Sequence, residues 1–157
     1  MAEESLRTLR PPKVLSLDGL EGLRVIVKGF PPDGVEGLTR EAIQEQAEKQ
    51  LAAAEIRALD EESSQRSAGR PVLLLLAGIV KYPRGFCIYT VQAQVKQDVW
   101  LSRNPRLTTN AATWEGLRHY GASQDGKLAD ALRSAARQSV EELVAAWQAA
   151  NRRAERK

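Results

Sequence analysis

The sequence predicts one α+β domain: a mostly antiparallel, twisted sheet of four to five strands with two helices packed on one face, in the order β-α-β-β-β-β-α. Three observations carry this. Residues 86–101 alternate apolar and polar side chains over many positions, residues 71–80 form an unbroken apolar run of strand length, and residues 38–54 and 124–150 repeat apolar positions at three- and four-residue steps.

Along the chain, residues 1–22 mix charge with Pro11, Pro12, Gly19 and Gly22 and hold no period, which predicts a flexible N-terminal arm. Leu23, Val25 and Val27 then alternate with Arg24, Ile26 and Lys28 in a first strand that stops at Pro31-Pro32-Asp33-Gly34. Thr39 is placed to cap a helix, Glu41 complements its dipole, and Ile43, Ala47, Leu51 and Ala54 line one stripe. Residues 56–59 read as a short strand and residues 60–69 as a polar surface loop. The run at 71–80 is the central strand. After it, Cys87, Tyr89, Val91, Ala93, Val95, Val99 and Leu101 face the core, against Thr90, Gln92, Gln94, Lys96 and Asp98 on the other side. A turn at 102–105 lets residues 107–114 return antiparallel. The last helix, opened by Ser123 or Asp125 as cap, carries Leu128, Leu132, Ala135, Ser139, Leu143, Trp147 and Ala150 on its stripe. The domain so defined covers residues 23–151, and residues 152–157 form a charged C-terminal tail.

Composition excludes several function classes. With 43% apolar and 27% charged residues the chain is built to fold. Its net charge of +3 is concentrated at the ends, in Arg7, Arg10 and Lys13 and in Arg152, Arg153, Arg156 and Lys157. Interleaved signs in the middle argue against nucleic acid as the main partner and leave weak binding through the basic termini as an alternative. Cys87 stands alone, so neither an internal disulfide nor a paired-cysteine metal site can form. No apolar stretch reaches the length of a transmembrane helix. The first residues lack the apolar core of a signal peptide, so the chain is expected to be cytoplasmic, or periplasmic or secreted if a leader was removed.

No chemistry announces itself. His119 is the single histidine, and with Cys87 it falls short of a zinc set or a nucleophile triad. Asp60, Glu61 and Glu62 lack the spacing of a calcium loop. Glu141 and Glu142 point about 100° apart on a helix, with Glu142 off the apolar stripe. No glycine motif matches a phosphate cradle. Neither a catalytic residue, a metal nor a cofactor is expected.

What remains is a surface. Ile26, Phe86, Ile88 and Trp100 place apolar groups on the sheet face opposite the helices, among Gln92, Gln94 and Lys96; Trp114 also falls off the core alternation, whereas Trp147 follows the helix stripe. The expectation is a non-enzymatic protein-binding or assembly domain that uses this open face or a strand edge, with Ile26, Ile88, Gln92, Gln94, Trp100 and Trp114 as its contact residues and edge pairing as a route to a homo-oligomer. The N-terminal arm folding over the face is the bland alternative. A rival reading, a small-ligand or enzyme site, gathers Tyr82, Arg84, His119 and Tyr120 from loops near the strands.

Gly37-Leu38-Thr39-Arg40-Glu41 with its following helix, Ala54-Glu55-Ile56-Arg57, and Asn110-Ala111-Ala112-Thr113-Trp114-Glu115-Gly116 ahead of a helix ending near Asn151 resemble phrases of a group of uncharacterised bacterial exported α/β domains. The coarse order of elements also resembles the amino-terminal domain of TolB and the lipoprotein activators of penicillin-binding proteins. The resemblance implies a fold and an envelope or exterior setting, and no activity.

Overall fold

The computed structural model describes residues 12–152. Its elements are α1 (Pro12–Leu15), β1 (Arg24–Lys28), α2 (Arg40–Ala53), α3 (Glu61–Arg66), β2 (Val72–Tyr82), β3 (Phe86–Leu101), β4 (Asn104–Glu115), β5 (His119–Gln124) and α4 (Leu128–Asn151). The architecture is α+β: five strands in one sheet, with α2 and α4 packed together across β1 and β3 on a single face.

β2 is central, parallel to β1 and antiparallel to β3. Its unbroken apolar sequence follows from this position, because both its edges are paired for half its length and one of its faces is sheltered. β3 is long enough to take two partners end to end on its far edge. β4 pairs with its second half and β5 with its first. Facing the helices, Val25 and Val27, Leu73 and Leu75, and Cys87, Val91, Ala93 and Val95 meet Ile43, Ala47 and Leu51 of α2 and Leu132, Ala136, Val140 and Leu143 of α4 in one core.

Several expectations hold in detail. Thr39 caps α2, its hydroxyl accepting from the Ala42 amide at 3.1 Å, and the buried stripe of that helix is Ile43, Ala47 and Leu51. β1 stops at Lys28, short of the expected end before Pro31, because at Gly29 φ is +77° and a Cβ would lie 1.9 Å from the Ala77 carbonyl oxygen, so no other residue fits.

Others are corrected. Residues 12–22 are packed, not loose. Leu17 is fully buried, Ser16 Oγ donates to the Thr113 carbonyl, and Asn151 of α4 donates to the Leu17 carbonyl while accepting from the Gly19 amide. This segment lies on the helix side of the sheet and leaves the opposite face open; residues 1–11 of the expected arm, and 153–157 of the tail, lie outside the described residues. The strand expected at 56–59 shrinks to one parallel bridge between Leu23 and Ala58. Within the expected loop at 60–69, Asp60 accepts from the Ser63 amide at 2.7 Å and starts the short helix α3, its turn closed by the Glu62–Arg66 ion pair. α4 begins at Leu128 after one 3-10 turn, and neither Ser123 nor Asp125 caps it. His119 and Tyr120, read as loop residues, and Ser123 and Gln124, read as the start of the last helix, all belong to β5.

Candidate protein-binding face

The face away from the helices is built by strand register. Cross-strand partners share a face, so each rung of the ladder can be read outward. One row runs Ile26, Leu74, Gln94, Glu115; the next holds Lys28, Leu76 and Gln92; beyond it lie Gly78, Thr90 and Tyr120, then Val80, Ile88 and Ala122, then Tyr82, Phe86 and Gln124. The last three rows make an apolar band at the β2–β3 hairpin. Val80, Tyr82, Phe86 and Ile88 are all exposed there, and Tyr120 is 78% exposed; the Tyr82 and Phe86 rings lie 6.0 Å apart.

Toward the middle the band turns amphipathic. Ile26, Leu76, Gln92 and Gln94 are half-buried, and Leu74 is buried between its neighbours. The two glutamines are already engaged within the sheet: Gln92 Nε2 donates to the Gly116 carbonyl at 3.0 Å, and Gln94 Nε2 to Glu115 Oε1 at 2.7 Å. Lys28, Lys96 and Glu115 on the rim have no ion-pair partner among the described residues.

The six residues singled out from sequence divide. Ile26, Ile88, Gln92 and Gln94 sit together on the open face. Trp100 points to the same side and is 74% exposed, but it lies about 40 Å along β3 from Ile88, on a two-stranded ribbon that β3 and β4 continue past the start of β2. Trp114 is not on the face at all: it is 3% exposed and packs in the core. A bulge at Val95/Lys96 inserts one extra residue into β4 and sets Trp114 opposite the inward Val95, reversing the alternation that would have turned it outward. Val80, Tyr82 and Tyr120 belong to the band and were not among the six. Strand β2's even-numbered apolar residues were the signal for Val80 and Tyr82; for Tyr120 there was none, because β5 has no strand-like composition.

The rival loop site does not assemble. Arg84 stands at the tip of the β2–β3 hairpin with φ of +72°, whereas His119 pairs with Val91, about 16 Å or more down the sheet at strand rise. A second one-residue excess, at 116–118 opposite Gln92 and Ala93, turns His119 inward, where its Nε2 lies 2.7 Å from Glu142 Oε1. Glu142 Oε2 accepts from the Leu117 amide at 2.8 Å. One carboxylate of α4 thus clamps the break between β4 and β5. Glu142, read as off the apolar stripe, is a tertiary anchor.

Cys87 is fully buried, and its thiol donates to Asp125 Oδ1 at 2.9 Å. The hydrogen bond to that carboxylate, then burial, push the thiol pKa up, which disfavours the thiolate a nucleophile needs. Among the described residues no three His, Cys, Asp or Glu side chains gather as a metal site, and no helix is long and apolar enough to cross a membrane. Of the basic termini, only Lys13 and Arg152 fall within the described residues. Comparisons with family models, curated proteins and solved structures give no match for this chain.

Proposed function

We propose that the domain is a non-enzymatic protein-binding module whose contact surface is the open sheet face, centred on the band of Val80, Tyr82, Phe86, Ile88 and Tyr120. The exposure of these five large apolar side chains on one face carries the reading, since monomeric soluble domains seldom leave such groups contiguous and uncovered. The surround fits: charged and amide groups rim an apolar centre, as at recognition surfaces whose affinity resides in a few buried aromatic and aliphatic anchors.

Affinity capture tests it with Ile88→Lys, each protein first checked for its circular dichroism. The variant is expected to keep the wild-type spectrum and lose the captured partner, while Leu117→Ser, which alters an exposed residue off the band, keeps it. An Ile88→Lys chain that unfolds, or that captures the same partner as wild type, overturns the proposal.

A further inference from the structure

We infer that the outer border of β1 is a second recognition site, separate from the open face, where a basic peptide segment in extended conformation adds to the sheet as a further strand. Backbone orientation carries this. Leu23 turns away from β2, donating its amide to the Arg57 carbonyl and accepting from the Leu59 amide, both at 2.9 Å, whereas Arg24 turns toward β2 and donates to the Pro71 carbonyl at 3.2 Å. Successive residues of a strand alternate in this respect, so Val25 and Val27 aim their amides and carbonyls outward, as Leu23 does. Residues 57–59 leave this border after their single bridge, and Asp60 starts α3 instead. The outward amides and carbonyls of Val25 and Val27 therefore have no partner among the described residues. They are also nearly dry, since Val25 is 3% and Val27 5% exposed. Backbone groups sheltered from water and left unpaired are rare and costly, so a partner that supplies the missing bonds is favoured.

There is room beside them. A groove of about 440 Å³ runs along the border, with Arg24, Val25, Ile26 and Val27 on its floor. Consecutive side chains of a strand leave to opposite faces, so four residues in a row can line one groove only along the strand's edge. α2 forms one wall, and residues 59–61 close the end beside the start of β1. An extended segment laid here meets donors and acceptors at alternate positions and continues the line that residues 57–59 begin, which is the geometry of strand addition.

Charge selects the segment. The groove's acids are Glu41, Glu48, Asp60 and Glu61, and its bases are Arg24 and Arg40. Arg24 pairs with Glu61 and Arg40 with Glu41, each at 3.4 Å, which leaves Glu48 and Asp60 without an ion-pair partner among the described residues. Lysine or arginine on an incoming strand supplies that charge, and an acidic segment is repelled.

Nuclear magnetic resonance titration of the full, isotope-labelled chain tests this, with a capped peptide of alternating lysine and valine as the probe. The peptide is expected to shift the Val25 and Val27 amides and slow their hydrogen exchange, to bind folded Ile88→Lys as it binds wild type, and to bind Glu48→Lys about tenfold more weakly. Its glutamate–valine counterpart is expected not to bind. Of two forms N-methylated at every lysine or at every valine, only one is expected to bind, because a strand pairs with its neighbour through alternate residues. Binding that tolerates both methylations, that leaves the Val25 and Val27 amides unmoved, or that is lost in folded Ile88→Lys overturns the inference, as does no binding at all. Exchange at these two amides that slows on raising the protein concentration alone also overturns it, and assigns the border to a second copy of the chain. The border and the open face answer to different variants, so failure here leaves the reading of the open face standing.

Discussion

Trp100 and Trp114 share one aromatic chemistry and stand in opposite settings. Trp114 fills the core opposite Val95, so Trp114→Ala is expected to cost about 3–5 kcal/mol through lost contacts and a residual cavity. Trp100→Ala removes a side chain that is mostly in water and is expected to stay within about 0.5 kcal/mol of wild type. Urea denaturation of the two variants checks both. The difference was not legible in sequence, because alternation assigns a side by counting, and one bulged residue at 112–114 makes the count wrong for everything beyond it. Ile88, by contrast, lies before any bulge in β3, and its outward side followed directly from its even number.

At the scale of elements, the stretches that could be read are those whose own side chains bear the burial pattern. α2, β2, β3 and α4 each present a sheltered stripe, and their core positions were visible from spacing alone. β5 was not. Its Gly121, Ala122 and Ser123 have little strand preference, and the segment is extended because β3 offers it a free edge. Gly121 is fitted to that place, since a Cβ would fall 2.6 Å from the Tyr89 hydroxyl. α3 was readable in principle, from Asp60 at its cap, Glu61 and Glu62 in its first turn and Arg66 in its last. The His119–Glu142 clamp was not, because a contact across 23 positions leaves no local signature. Its worth is testable: Glu142→Ala leaves the Leu117 amide and the His119 ring without this acceptor. The His119 ring is partly buried and the Leu117 amide is exposed, so the expected loss is about 1 kcal/mol. Hydrogen exchange should show the β5 amides opening faster than those of β2. Unchanged β5 protection would show that the pairing with β3 suffices without the clamp.

For the whole molecule, the dependence of stability on pH follows from carboxylates held below their ordinary range, which among the described residues are Glu45, beside Lys49, Asp60 and Asp98. Asp98 is lowered by the Asn110 amide and then by the Arg70 guanidinium, which together tie the loop before β2 to the β3–β4 ribbon. Asp60 is lowered by the Ser63 amide at the start of α3. A carboxyl whose folded pKa lies below its unfolded value stabilises the fold above the unfolded value and loses that contribution as pH falls through the folded one. Asp98→Asn is therefore expected to be less stable than wild type at neutral pH, with the gap closing below about pH 4. Urea midpoints at pH 7 and pH 3 measure it. A gap as wide at pH 3 as at pH 7 would assign the loss to geometry instead of charge.

Because β1 stops at Gly29, the outer border of β2 from Gly78 to Tyr82 has no neighbouring strand among the described residues. Such a border can template growth of a fibril, one chain laid against the next. The sequence guards it with Lys81, whose charge must be desolvated by any incoming copy, and with Pro83, which donates no amide to extend the pairing. Removing Lys81 from this margin would strip the domain of a safeguard that folding itself does not require.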